Sequence, residues 1–531
     1  VTIGFVTLIT LPLALMAITG VVQESAEKRQ LAPFPSLGEA DFSQHFDDWF
    51  SDHFGLRDTL VASYSRIKVF GMGVSTRKGV SVGKDDWLYY GANAMYATLG
   101  TIILPEAHMV AWRDYLEGVH DWLAERGVAY LFIITPSKQA IYPEHLPKGQ
   151  TPVGPSTRQQ MVDYLKTHSN LPFVDVTPRL LQKKSDGLLF LKSDSHWNAL
   201  GAYYGYQAIM EKLSVPFPAL APRPLSDFTV TRHTVKGGDL SQLFNLSSAY
   251  TDTRVDLEPN TPRCATKKPF QLPGKAPWAT HRQSTLTTCP SAPPISLLML
   301  RDSFSNDMMP LLSEHFRRAI YLKQANAQHP LAHSPILLDA ILREGRPALV
   351  LDQMSARKML LNPPIVTNLH EASLRRYYRE APINKRWLAP NTPASQVSVS
   401  GPIQIEARAN GLHIEVKGPG AKMTVGGVSI AQDQWPVVRI DLKASAATTL
   451  TLAYRGAYET AFPPSQSIQV AVAAGTNSLH LPLPQTGPIS GLRLSFGAAP
   501  DTYTLRLLEA RGVRRNFAIL PNGQSWPAKP T

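Results

Sequence analysis

The stretch LKSDSHWNALGAYYGYQAIM, residues 191–210, sets an Asp and a His two positions apart, ahead of an apolar, aromatic segment with helical spacing. Within a helix, Asp194 and His196 would point away from each other; on an extended or looped backbone they can meet. An Asp that holds an imidazole by one nitrogen leaves the other free to take a proton from a hydroxyl. That is two thirds of the machinery for acyl transfer to or from an alcohol. The remaining needs are a nucleophile and donors for the oxyanion.

The place to look for the nucleophile is a strand-to-helix turn, where a hydroxyl projects from the C-terminal edge of a sheet. ISLLMLRDSFSNDMMPLL supplies one: Ser303 follows the strand ISLLML and is expected to open the next helix. A lone Ser in that position is more often a helix N-cap, and a lone Asp-x-His is more often structural. The two together, each at its expected place in an alternating chain, point to catalysis by Ser303, His196 and Asp194.

The elements that must position them alternate from about residue 105 to 365. HMVAWRDYLEGVHDWLAERG reads as a helix, VAYLFIITP as a buried strand, QMVDYLKTHSN as a helix and FVDVT as a short strand. NALGAYYGYQAIMEKL is helical, ISLLML a strand and SNDMMPLLSEHF a helix. AIYLKQ is a strand, SPILLDAILREG a helix and PALVLDQM a strand. The alternation predicts an α/β domain with a parallel sheet. Upstream, Phe42, Phe46, Trp49, Phe50 and Phe54 recur at helical spacing. Beyond about 390, short alternating strands split by Gly, Pro, Asn and Ser predict an all-β sandwich. RRYYREAPINKRWLAPNTPA reads as the linker between them. Trp435, Tyr454, Tyr458 and Phe462 are candidate sugar platforms there, with core packing as the competing role.

The 53 Lys and Arg against 41 Asp and Glu give a formal charge of +12, which draws polyanions. No nucleic-acid module accompanies the charge, so nucleic acid is not the expected partner. The 15 His include no H-E-x-x-H or other metal spacing, and no Walker loop or dinucleotide fingerprint occurs, so neither metal nor cofactor is expected. Residues 1–22, VTIGFVTLITLPLALMAITGVV, carry no charge. They read as a transmembrane signal anchor or a signal peptide, and either exports the rest. In an oxidising compartment Cys264 and Cys289 can close a loop of about 25 residues, contributing roughly 3 kcal/mol; the alternative is two free thiols.

These residues resemble a family. DSHWNALGA is similar to the D-x-H-W-N-x-x-G block of the alginate O-acetylation proteins AlgJ and AlgX. LLMLRDSFSNDMMPLL resembles their nucleophile block, ITPSKQAIYPEHLP their P-x-K-x-x-x-Y-P block, and VGKDDWLYY a further shared stretch. The resemblance runs in the family's order over about residues 40–365. Two departures stand out: Arg301 where Gly precedes Asp–Ser, and Ala356 where an acidic residue precedes Arg357. The resemblance implies an SGNH-hydrolase-like acetyltransferase domain over 30–385 and a carbohydrate-binding β-sandwich over 390–515. It also implies Ser303 as nucleophile through an acetyl-enzyme, His196 as base and Asp194 as its orienter, with Lys138, Tyr142 and Trp197 at the substrate. The implied partners are an exported polysaccharide of alginate or cellulose type, a membrane-bound O-acyltransferase as acetyl donor, and other exopolysaccharide synthesis and export proteins. The implied location is the bacterial inner membrane, held by the N-terminal helix, with the catalytic domain in the periplasm. A carbohydrate acetylesterase and a non-catalytic polysaccharide-binding assembly factor are the alternatives.

Overall fold

The computed structural model describes residues 2–19, 31–270, 284–323, 342–363, 367–484 and 487–513. The chain divides into two compact units. The first is Val1–Pro105 with Val128–Asn362, and the second is Glu106–Gly127 with Pro363–Thr531.

The first unit is built on a seven-stranded sheet. Its order is Phe173–Asp175, Ala129–Thr135, Leu349–Ser355, Ser296–Arg301, Arg318–Lys323, Thr285–Thr288 and Thr266–Pro269. The first five strands pair parallel; Thr285–Thr288 runs against them and pairs antiparallel with both its neighbours, so the expected parallel sheet is a mixed one. The central strands are mostly apolar because both faces are covered, with Asp352, Gln353 and Ser355 the buried polar exceptions on Leu349–Ser355. Phe132, Ile133, Leu298, Met299 and Leu351 are fully buried. Helix Thr157–His168 comes after strand Ala129–Thr135, and both Thr177–Gln182 and Ala199–Ser214 come after the single strand Phe173–Asp175. Ser156 caps the first of these by accepting the Gln159 amide at 3.1 Å. The helix expected over SNDMMPLLSEHF is shorter than its pattern: a 3-10 turn at Ser303–Ser305, then five residues at Met309–Ser313. Most of SPILLDAILREG lies outside the described residues.

The membrane-crossing helix expected over residues 1–22 is not found. The helix there is Thr2–Thr19, with Pro12 inside it. Among the described residues no helix is long and apolar enough to cross a membrane.

The second unit is a sandwich of two antiparallel sheets. One holds, in order, Ile403–Arg408, Gly411–Val416, Asp501–Val513, Trp435–Ala444 and Gly475–Pro482, with Ile383–Leu388 pairing onto Asp501–Val513. The other holds Ser398–Ser400, Lys422–Val428, Ile489–Ser495, Thr448–Gly456 and Ser467–Val472. Alternating residues such as Leu412, Ile414, Val438, Ile440, Leu452 and Leu492 meet between the sheets. The segment read as a linker is instead helix Thr367–Glu380 followed by the strand Ile383–Leu388. Its charged text misleads because the charges are satisfied inside the unit. Arg376 pairs with Asp121 at 2.7 Å and Glu117 at 3.1 Å, and the Tyr377 hydroxyl donates to Glu117 at 2.7 Å. Both carboxylates sit on helix Glu106–Ala124, which joins this unit rather than the alternating one. Trp435 and Tyr454 are buried, Tyr458 is fully exposed, and the Phe462 ring lies beside the guanidinium groups of Arg493 and Arg455, 4.3 and 5.2 Å away.

Cys264 and Cys289 form a disulfide at the open end of the hairpin whose strands pair Thr266 with Thr288. The bridge closes the edge of the mixed sheet, where the outermost strand, Thr266–Pro269, is exposed along its length. Replacing both cysteines by Ser should lower stability by about 3 kcal/mol, read as a shift of the denaturant midpoint at constant slope. Denatured but unreduced protein should bind no thiol reagent; two labelled cysteines would disprove the bridge.

Candidate active site

The site stands at the C-terminal edge of the parallel strands. Strand Ser296–Arg301 ends at Asp302, whose carboxylate accepts the Phe304 amide at 3.0 Å and the Ser355 amide at 2.9 Å and lies 3.6 Å from the Lys358 ammonium. Burial alone would raise the Asp302 carboxyl, but Lys358 and the hydrogen bonds around it hold it below the usual range. Gln353, on the neighbouring strand, accepts from the Asp302 amide at 3.0 Å and the Ser305 hydroxyl at 2.7 Å, and donates to Thr135 at 3.0 Å. Three strands thus fix one turn, and Ser303 is its first residue.

Opposite it, the loop of residues 191–196 carries Asp194 and His196. The Ser303 hydroxyl lies 2.7 Å from His196 Nε2, and His196 Nδ1 lies 2.8 Å from Asp194 Oδ1. With Nδ1–H donated to Asp194, Nε2 is the acceptor for the Ser303 proton. Burial on its own would lower the imidazole, but the hydrogen bond and charge of Asp194, with Asp239 behind it, hold His196 above its ordinary value. Asp194 is opposed by burial too, yet His196 and the amides of Asp239 and His196 keep it well below the usual carboxylate range. The structure therefore brings Ser303, His196 and Asp194 into one hydrogen-bonded chain.

Two further carboxylates hold the loop, and sequence reasoning missed both. Asp239 accepts the Ser195 amide at 2.7 Å and its hydroxyl at 2.6 Å, and stands 3.5 Å from His196 Nδ1. Asp252 accepts the Lys192 amide at 2.8 Å and the Ser193 amide at 3.1 Å, and bonds the Ser193 hydroxyl. The available signal was the pair of glycines before Asp239. A Cβ on Gly238 would sit 2.4 Å from the Asp194 carboxylate, so only glycine admits that approach.

Trp197 joins the two halves. Its indole N–H donates to the Phe304 carbonyl at 2.8 Å, and its ring meets the Phe304 ring edge to face at 5.4 Å. Asn198 caps helix Ala199–Ser214 by accepting the Gly201 amide at 3.0 Å. Lys138 and Tyr142 stand behind the loop. Both are buried; the Lys138 ammonium donates to loop carbonyls, and the Tyr142 hydroxyl accepts the Leu189 amide at 2.9 Å. Arg301 is buried and donates to Asn306 Oδ1 at 2.8 Å. Arg357, which lacks an acidic predecessor, lies over the rings of Tyr90 and Phe304, 4.4 and 5.7 Å away.

A cavity of about 220 Å³ opens over Ser303, lined among others by His196, Trp197, Arg254, Asp256 and Asp307. Carboxylates on its wall suit the hydroxyls of a sugar, which can donate to them. Among the described residues, Asp194, His196 and Asp239 are close enough to share a metal ion. Their oxygen and nitrogen atoms are instead engaged with one another, with backbone amides and with Ser195 and Ser303, so the set fits a proton relay rather than a cation.

Because Asp194 raises the imidazole, neutral His196 should accumulate only above the ordinary imidazole range. Asp194→Asn should lower kcat for an activated acetyl ester by about 10⁴-fold and move the rising limb of kcat/KM to lower pH. A pH–rate profile checks both; an unmoved limb would show that Asp194 does not tune His196.

The family described as SGNH hydrolase-like domain, acetyltransferase AlgX, matches residues 80–355, more than half of the chain. The probable alginate O-acetylase AlgJ of Pseudomonas aeruginosa is 30% identical over 126 residues, covering 24% of this chain and 31% of that protein. The same-named protein of Pseudomonas putida is 29% identical over 156 residues, covering 29% and 38%. The chain thus spans about a third of the length of these curated relatives. Among solved structures, the O-acetyltransferase domain of Pseudomonas putida AlgJ is 18% identical, with a TM-score of 0.39, over 56% of this chain and 100% of that one. Through the match across residues 80–355, which contains Asp194, His196 and Ser303, the chain belongs to the AlgX family of SGNH hydrolase-like acetyltransferase domains.

Proposed function

We propose that the protein is a polysaccharide O-acetyltransferase that works through an acetyl-Ser303 intermediate. The observation that carries this reading is the unbroken chain from Ser303 Oγ through both His196 nitrogens to Asp194. Ser303 attacks the donor's acetyl carbonyl as its proton passes to His196 Nε2. The tetrahedral intermediate collapses, and the imidazolium returns that proton to the leaving group. A sugar hydroxyl then enters the cavity and gives its proton to His196 as its oxygen attacks the acetyl carbon. The acetyl–Ser303 bond breaks, and His196 reprotonates the serine. Asp194 stabilises the imidazolium in both halves. These steps use the chain's own residues alone.

The disulfide supports an oxidising compartment, so the site is assigned to the periplasm. Cytosolic acetyl-CoA does not reach that space, and a membrane-bound O-acyltransferase is the proposed source of the acetyl group, with polysaccharide synthesis and export proteins as neighbours. The acceptor is an exported polysaccharide of alginate or cellulose type, and the β-sandwich unit is assigned to holding it, which raises the sugar's effective concentration.

The full chain, given an activated acetyl ester and acidic or neutral oligosaccharides, should yield acetylated sugar by mass spectrometry. Ser303→Ala should abolish it, with a loss of several powers of ten. Free acetate with no modified sugar would make the protein an esterase. Sugar binding with neither product would make it an assembly factor.

A further inference from the structure

Lys138 opens the short helix Lys138–Ile141, just past the strand Ala129–Thr135, and is 2% exposed. Its ammonium donates to the carbonyls of Leu191 at 2.9 Å, Lys192 at 2.8 Å and Asp194 at 2.7 Å. The rings of Trp87 and Tyr89 lie 5.4 Å from it. The charged groups facing it are Asp194 in the loop, Asp252 on the strand Thr251–Pro259 and Asp239 at the start of the helix Asp239–Gln242. The same loop gives its amides to those carboxylates, so Lys138 takes the carbonyl side and the aspartates the N–H side.

We propose that Lys138 is a positioning residue for acyl transfer, and that its charge, rather than its bulk, sets where Asp194 and His196 stand. This rests on the reading of Ser303, His196 and Asp194 as the reacting set. An ammonium has three N–H bonds for three carbonyls; a neutral amine has two and turns a lone pair toward the third oxygen. Deprotonation therefore breaks the grip and removes the cation from among three aspartates.

Burial pushes Lys138 down to about 7, against the pull of Asp194, Asp252 and Asp239. The protonated form thus prevails below that pH and is lost as pH rises through it. Neutral His196 gives the rising limb of activity and protonated Lys138 the falling one; with His196 held above its ordinary value and Lys138 near 7 the two limbs overlap in a narrow bell, whose falling side no step of the chemistry itself requires.

The test is the pH profile of kcat/KM for an activated acetyl ester, measured on the full chain, on Lys138→Met and on Lys138→Arg. A misplaced catalytic pair costs on the order of 10²-fold, so Lys138→Met should lose at least that much and show no falling limb near 7. Lys138→Arg stays charged throughout, so its falling limb near 7 should also vanish while part of the rate returns. A purely structural role would lower the yield of folded enzyme and leave the limb in place. An unmodified enzyme with no falling limb near 7, or Lys138→Met with an unchanged profile, overturns the proposal.

Should Lys138→Met not fold, the unmodified chain and Lys138→Arg decide it. Amide exchange of residues 191–196, corrected for intrinsic rate, should quicken above about pH 7 in the former only, and equal behaviour overturns the proposal. That readout also holds if no acetyl ester is turned over, an outcome that removes the acyl-transfer reading and not the clamp.

Discussion

The site depends on a loop of six residues, 191–196, held between opposite charges. A loop has no ladder or helical bonds of its own, so each buried amide and carbonyl must find a partner elsewhere. Here the partners are acidic and basic side chains. Asp252 takes the amides of Lys192 and Ser193, Asp239 takes that of Ser195, and Asp194 takes those of His196 and Asp239. Lys138 answers from the carbonyl side. Charge-assisted hydrogen bonds are roughly twice as strong as neutral ones. They also specify direction, so the same contacts that stabilise the loop fix the aim of Asp194 and His196.

The nucleophile is held by other means. Ser303 stands on a turn tied to Thr135, Gln353 and Ser355 at the ends of two buried strands, and its position follows from sheet register. Trp197 then couples turn and loop through Phe304. Its large ring is accommodated by small residues on helix Ala199–Ser214. A Cβ on Gly205 would sit 2.9 Å from the Trp197 ring, and one on Gly201 would sit 2.4 Å from the Leu189 carbonyl and 2.9 Å from Trp197 Cβ. The motif W-N-x-x-G is therefore a packing statement as well as a cap: Trp reaches across, Asn starts the helix, and Gly makes room.

How much of this was legible follows from the range of each interaction. Asp194, His196, Asn198 and Gly201 act on near neighbours in the chain, so their spacing carried the meaning. Ser303 was legible because an apolar strand precedes it. Asp239 and Asp252 were not: Asp239 had only the two glycines before it as a signal and Asp252 had none, and they reach the loop only through the hairpin Phe228–Lys236 and Thr251–Pro259, which pairs Val235 with Asp252. Lys138 was expected at the substrate by resemblance, and it stands behind the loop because a buried ammonium can serve several carbonyls at once.

Polarity misled the reading of folds in the same way that it concealed the clamp. RRYYRE looked like a linker because its charges seemed to need water, yet Arg376 bonds two buried carboxylates and Tyr377 a third contact on one of them. Asp239, after two glycines, was likewise not read as a site residue, yet it holds the catalytic loop. In both cases a charge occupies a place where sequence patterning expects solvent. Burying a charge is costly unless it is paired and hydrogen-bonded, and each of these charges meets that condition through residues remote in the chain. A carboxylate whose oxygens accept amides from a catalytic loop cannot be exchanged for an apolar residue without stranding those amides. That requirement makes the clamp residues part of the chemistry, even though none but Asp194 touches His196 closely and none touches Ser303.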